Sequence, residues 1–205
     1  MADISPQLVR ELREKTNAGM MDCKRALTEA AGDLAKAEDI LRAKGIASAG
    51  KKASRSAKEG IVASYIHLQG KVGVLVEVNC ETDFVAKNEN FRELVKDITL
   101  HIAAANPTCV SREQVDPAEI ERERAIYRQQ VEGKPANIVD KIVEGKVDKF
   151  YGTICLMEQP FIKNPDVSIA DLVKSKISEL GENIVIRRFT RYMVGEGVAD
   201  APAAE

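Results

Sequence analysis

Apolar residues at helical spacing open the chain. Leu8, Val9 and Leu12 fall on one face, flanked by Arg10, Arg13 and Lys15. Ser5-Pro6 supplies an N-cap and a first-turn proline ahead of them. The pattern stops in Thr16-Asn17-Ala18-Gly19, and Met20-Met21 follows. Asp22 is the expected cap of a second helix carrying Ala26, Leu27 and Ala30. Gly32-Asp33 reads as a stop and a cap, and a third helix with Leu34, Ala37, Ile40 and Leu41 runs to Gly45. Three helices in this length predict a small bundle, marginal by itself.

The period then changes to two. Ile61 to Leu68 and Val72 to Asn79 read as strands joined through Gln69-Gly70. Valines at every second position of Val72-Gly73-Val74-Leu75-Val76 mark one buried face. Helical spacing returns at Phe91, Leu94, Val95, Ile98 and Ile102, and Asn106-Pro107 stops it after Ala105. Ser111-x-x-Gln114 resembles a capping box on a short turn. Asp116-Pro117 caps a helix dense in charge, with Glu119, Glu121, Arg122, Glu123, Arg124 and Arg128. Gly133-Lys134-Pro135 breaks it, and Ile138, Val139, Ile142 and Val143 carry the returning arm of a helical hairpin over 117–150. Each arm is roughly 20 Å long at ~1.5 Å per residue. Tyr151 to Glu158 reads as a strand ended by Gln159-Pro160. Ser168-Ile169-Ala170-Asp171 is a capping box for a helix bearing Leu172, Val173, Ile177 and Leu180, ended by Gly181. Ile184 to Phe189 is the last strand, and Gly195-Glu196-Gly197 opens a tail. Strands and helices do not alternate regularly, which predicts an α+β fold with an antiparallel sheet.

Composition divides this pattern into segments. Residues 1–45 form the bundle. Residues 46–59 read as a basic linker, because Lys51, Lys52, Arg55 and Lys58 occur there among Ala, Ser and Gly; its alanines leave it partly helical. Residues 60–197 form the α+β core, and 198–205 a disordered tail. The content, 44% hydrophobic and 30% charged, is that of a soluble globular protein, and a net charge of -2 gives no global pull toward nucleic acid or membrane. No stretch approaches the ~20 apolar residues of a spanning helix, and the first residues lack the pattern of a signal peptide. Cys23, Cys80, Cys109 and Cys155 form no CxxC pair, so a cytoplasmic setting is expected.

Few residues carry chemistry. Cys80, Asp83 and His101 are the one conceivable nucleophile-and-base trio, and His67 is the only other histidine. A packed or partner-facing histidine is the competing reading of His101. Two histidines without a cysteine cluster predict no metal site and no bound cofactor, and no phosphate-binding GxxxxGK[ST] loop is present. The basic linker could track phosphates, but no aromatic is interleaved for base stacking. Two features remain open. Met20 and Met21 point about 100° apart on a helix, so both do not easily fit the core, and methionine adapts well to contact surfaces. Phe84-Val85, between the valine-rich strand and the long helix, either plugs the core or projects toward a partner.

Two long motifs narrow these alternatives. The segment from Leu12 through Arg13-Glu14-Lys15-Thr16-Asn17-Ala18-Gly19-Met20-Met21-Asp22-Cys23-Lys24-Arg25-Ala26 to Leu27 resembles the N-terminal signature of the elongation factor Ts family. Glu77-Val78-Asn79-Cys80-Glu81-Thr82-Asp83-Phe84-Val85-Ala86-Lys87 is similar to the family's second signature. Gly133-Lys134-Pro135, Glu158-Gln159-Pro160-Phe161 and Asn183 to Arg188 also resemble it, so the likeness covers nearly the whole chain. Asn17 departs from the family's usual Gly, and Asn tolerates the left-handed turn. The resemblance implies a guanine-nucleotide exchange factor for elongation factor Tu, not an enzyme. It implies a UBA-like bundle that docks on the partner GTPase through Leu12, Arg13, Met20 and Met21. Asp83 and Phe84, flanked by Thr82 and Val85, correspond to a pair that perturbs the partner's magnesium site, and His101 extends the contact surface. The chain resembles the short form of the family, with one core module, which implies a homodimer and a 2:2 assembly, with no direct nucleic acid and no membrane.

Overall fold

The computed structural model describes residues 4–16, 18–131 and 135–197, the side chains of 46–48, 136 and 137 excepted. The turn at Asn17, the break at Gly133-Lys134 and the 198–205 tail lie outside the described residues.

Helix α1 spans Pro6–Thr16, α2 Met20–Glu29 and α3 Leu34–Lys52. Ser5 Oγ accepts from the Leu8 N–H at 3.2 Å, as its place before Pro6 predicts. Helix α2 starts earlier than expected: Gly19 precedes it, and Asp22 lies inside its first turn rather than capping it. There the carboxylate faces the positive end of the helix dipole and pairs with Arg25 at 2.5 Å. Asp33 caps α3, accepting from the Lys36 N–H at 3.1 Å. Val9, Leu12, Cys23, Ala26, Leu27, Ala30 and Ala37 make the core of these three helices.

Helix α3 does not stop at Gly45. One interior glycine costs a helix only about 1 kcal/mol, and the extension to Lys52 has a neighbour in helix α8, Ile169–Leu180. Lys52 Nζ donates to the Ile177 carbonyl at 3.3 Å. A Cβ on Gly45 would lie 3.1 Å from Ser178 Oγ, so the glycine permits the close approach. Half of the basic segment is thus helical.

Strands β1 (Glu59–His67) and β2 (Val72–Cys80) are joined by a turn in which Leu68, Gln69 and Gly70 all have positive φ. So short a connection allows only antiparallel pairing. Strand β5 (Val185–Met193) completes a three-stranded sheet in the order β1-β2-β5. Val72, Val74, Val76 and Val78 are buried while Leu75 is exposed, the alternation that the sequence predicts.

After β2 come a short helix α4 (Asp83–Lys87), the long helix α5 (Glu89–Ala105), and a helical hairpin of α6 (Pro117–Gln130) and α7 (Ala136–Ile154). Asp116 caps α6 through the Ala118 N–H at 2.9 Å, and Ile120, Val131, Val143 and Val147 form the hairpin's core. Two expectations fail in this region. Ser111 makes no capping bond; Gln114 Oε1 instead accepts from the Val110 N–H at 2.8 Å. Residues 151–158 are not a strand, because α7 continues to Ile154 and a 3-10 turn covers Leu156–Glu158. Asp148 and Tyr151, three apart, share one face of α7. Arg112 pairs with Asp148 at 2.8 Å, bridges to Glu158, and lies 4.3 Å from the Tyr151 ring centroid. A small ribbon of β3 (Pro160–Phe161) and β4 (Asn164–Ser168), antiparallel, was not foreseen.

The chain divides into two compact units. One comprises Met1–Ile61, Val78–Leu94 and Ala170–Val185; the other comprises Val62–Glu77, Val95–Ile169 and Ile186–Glu205.

Candidate functional site

The end of β2 and helix α4 present Phe84, the large hydrophobic with the highest fractional exposure among the described residues. Thr82 is extended, with φ -128° and ψ 156°, and its hydroxyl accepts from the Val85 N–H to cap α4. Asp83 and Phe84 are the first two residues of that helix. Phe84 is 80% exposed, so it does not plug the core. Val85 is half-buried, and Ala86 alone of the five α4 residues is buried. Asp83 pairs with Lys87 one turn on at 2.7 Å, and that ammonium holds its carboxyl below the usual carboxylate range. An aromatic ring beside a carboxylate, both facing solvent, suits contact with another protein.

The segment is fastened from the far end of α8. The Glu182 carboxylate accepts from the Glu81 N–H at 3.1 Å, the Thr82 N–H at 3.0 Å and the Thr82 hydroxyl at 2.6 Å. In return, Glu81 Oε1 accepts from the Asn183 N–H at 2.6 Å and lies 3.5 Å from Arg55 Nη1. Asn183 Nδ2 reaches the carbonyls of Ala53 and Arg55 at 3.3 and 2.8 Å. Beyond α4, Asn88 Oδ1 accepts from the Asn90 N–H at 2.8 Å, and Asn90 Nδ2 donates to Glu179 at 2.6 Å. Sequence reasoning missed Glu182 and Asn183. Thr82 and Glu182 are 100 residues apart. The only local hint was a polar pair between Gly181 and an apolar strand.

The other candidate residues divide by exposure. Arg13 is exposed, and Met20 and Met21 are 51% and 65% exposed at the start of α2, so neither methionine enters the core. Leu12 is 0% exposed, inside the bundle core rather than on its surface. His101 is 1% exposed, which removes it from the contact surface that the resemblance implies. Its Nε2 lies 2.9 Å from Gln159 Oε1, and its Nδ1 accepts from the Ile162 N–H at 3.3 Å. Gln159 Nε2 donates to the Thr153 carbonyl at 2.6 Å, which fixes the amide and makes His101 Nε2 the protonated nitrogen.

That geometry also removes the nucleophile-and-base reading. Both His101 nitrogens are committed to Gln159 and Ile162. The Cys80 thiol is buried and donates to the Thr82 carbonyl at 3.1 Å. Burial, with the Glu182 charge nearby, pushes its pKa up to about 11, so it stays a thiol. Two cations of the basic segment are likewise engaged, Lys52 with the end of α8 and Arg55 with Glu81, and just ahead of it Lys44 pairs with Glu29 at 2.5 Å. Cys109 and Cys155, distant in sequence, are free thiols with sulfurs 3.6 Å apart. Among the described residues, no cluster of His, Cys, Asp and Glu is arranged to hold a metal. No described helix is long and apolar enough to cross a membrane.

Comparison with known proteins gives a consistent result. The family model described as elongation factor TS matches residues 46–196. Elongation factor Ts of Alkaliphilus oremlandii is 61% identical over 198 residues, 96% of this chain and 91% of that protein. Elongation factor Ts of Carboxydothermus hydrogenoformans is 59% identical, over 96% of this chain and 91% of its own. That of Thermodesulfovibrio yellowstonii is 56% identical over 94% of this chain and 97% of its own.

Proposed function

This chain belongs to the elongation factor Ts family, and on that premise we propose that it is a guanine-nucleotide exchange factor for elongation factor Tu. It binds the GDP-loaded partner, wedges Asp83 and Phe84, with Thr82 and Val85 beside them, against the partner's magnesium and phosphate site, and releases GDP. The observation that carries this reading is Phe84, 80% exposed on a turn that is pinned on both sides. Leaving an aromatic in water forgoes about 2 kcal/mol of burial, which binding to a partner recovers.

Magnesium demands near-octahedral geometry at about 2.1 Å. Displacing one ligand or its supporting segment therefore weakens it sharply, and a wedge needs stiffness rather than reactive chemistry. Exchange is then linkage. A protein that prefers the nucleotide-free partner weakens nucleotide binding by the same factor, about tenfold for each 1.4 kcal/mol of preference. The GTP:GDP ratio sets the direction, and this chain makes and breaks no covalent bond.

The bundle docks on the GTPase through exposed Arg13, Met20 and Met21. Buried Leu12 supports that surface from beneath, and His101 holds the β3 segment in place rather than touching the partner. The basic segment, with Lys52 and Arg55 bonded inside the chain, takes no direct part in nucleic-acid binding. The protein acts in the cytoplasm, away from the membrane, as a homodimer. The open face of the sheet supports the dimer: Val62, Ile66, Leu75 and Tyr192 are each more than half exposed. They share that face. A Cβ on Gly73 would touch Ile66 Cδ1 at 3.3 Å, and Arg188 reaches Glu77 at 2.8 Å, which sets the register of the outward residues.

The direct test is release of a fluorescent GDP from elongation factor Tu. The protein accelerates it strongly, and Phe84→Ala lowers the acceleration on the order of 10–100-fold, the loss of one well-placed aromatic anchor. Asp83→Ala lowers it less, and binding partly survives in both. No acceleration by the intact protein sinks the reading.

A further inference from the structure

We propose that Glu182 is a positioning residue for nucleotide exchange, holding the backbone from which Asp83 and Phe84 project. The proposal rests on the wedge reading above and adds what aims the wedge.

Helix α4 has five residues, far below the ~12 at which a helix is stable by itself in water. With Ala86 alone buried, packing contributes little to its direction. Phe84 gives no anchorage either, because its ring is in solvent. The direction comes from hydrogen bonds on either side of the helix, Asn90 to Glu179 beyond it and a denser set ahead of it that converges on Glu182. One carboxylate oxygen takes the Glu81 and Thr82 N–H groups, and the other takes the Thr82 hydroxyl. The same hydroxyl oxygen accepts from the Val85 N–H at 3.4 Å, so it relays the position of Glu182 into the turn that carries Phe84. Hydrogen bonds to an ionised acceptor are roughly twice as strong as neutral ones. The arrangement is also crossed, since Glu81 binds the Asn183 N–H in return. Each segment's acid satisfies the other's backbone, which resists sliding as well as separation. A wedge held this way enters its partner without a prior search of conformations, the usual gain from preorganisation.

The experiment uses the full chain in the GDP-release assay with Glu182→Ala, Glu182→Gln, Phe84→Ala and the double variant Glu182→Ala/Phe84→Ala. Glu182→Ala lowers the second-order exchange rate constant about tenfold, the weight of one charged hydrogen bond or more. Glu182→Gln keeps at least half the wild-type rate, because its Oε1 still accepts from the backbone and its amide donates to Thr82. In the Phe84→Ala background, Glu182→Ala adds clearly less than the roughly tenfold loss it causes alone, since only Asp83 is left to position. Amide exchange at Glu81 and Thr82 speeds up in Glu182→Ala, while the Leu27 amide in the bundle does not change. Glu182→Asp, with the charge kept one methylene short, replaces Glu182→Ala in the same cycle should the alanine variant not fold. Losses that multiply in the double variant, or an unchanged rate in Glu182→Ala beside an impaired Phe84→Ala, overturn this proposal alone. An unimpaired Phe84→Ala overturns the wedge reading together with it.

Discussion

His101 shows how a single residue can be drawn to a structural task that its neighbours in sequence do not reveal. Its Nε2–H donates to Gln159 and its Nδ1 accepts from the Ile162 N–H. A second ring proton would sit against that N–H. Burial moves its pKa below the ordinary 6.5, with the Gln159 bond opposing. The folded pKa lies below the unfolded one, so the unfolded chain takes up the proton first as pH falls. The resulting stability is fully present above about 6.5 and is lost as pH falls through the folded value. Thermal unfolding followed from neutral pH to mildly acid pH should show a steeper fall for the intact protein than for His101→Gln. Equal slopes refute the assignment. Phe84 was the opposite case. Its setting between a strand and a helix was legible, but the turn before it is bonded to Glu182, 100 residues away, a partner no local pattern reveals.

Among the elements, those set by local chemistry were legible. Ser5, Asp33 and Asp116 cap the helices their positions predict, and the alternating valines of β2 are buried. Elements whose ends depend on a distant neighbour were not legible. Helix α3 outruns Gly45 beside α8, and α7 outruns Phe150 where Arg112 holds Tyr151. The β3–β4 ribbon is too short for periodicity to register. One position within the sheet gives a firm expectation. Gly60 has φ +140°, and a Cβ there would lie 2.2 Å from the Val78 carbonyl oxygen. Both strain and collision oppose a side chain, and the neighbour is backbone that cannot swing aside. Gly60→Ala should cost about 3 kcal/mol or more, a loss tied to strain at a special φ/ψ, visible as a lower midpoint in urea. Gly50→Ala, with nothing within 4 Å of its Cβ and a helical backbone, should hold or raise that midpoint.

For the whole molecule, the α+β class was legible because the hydrophobic period switches from helical to two and back. What the face of a sheet is for is not written in that period. Alternation predicts an outward row on β1, β2 and β5, and polar residues are the usual occupants of such a row. Here it carries Val62, Ile66, Leu75 and Tyr192. A dimer burying this face removes apolar surface from both copies at once, and a two-fold axis sets each patch against its own copy. Leu75→Lys places an unpaired charge in that interface, where desolvation costs several kcal/mol, so the variant should sediment as a monomer at micromolar concentration. Ile126→Lys, an exposed position on α6, should remain a dimer. Leu75→Lys leaves the pinned turn and Phe84 intact, so it should keep the maximal GDP-release rate within a few-fold. Its half-saturating concentration should rise, because a second linked contact raises apparent affinity. A monomeric intact protein would end the dimer proposal and leave the wedge standing. A Leu75→Lys variant that stays dimeric would move the interface elsewhere.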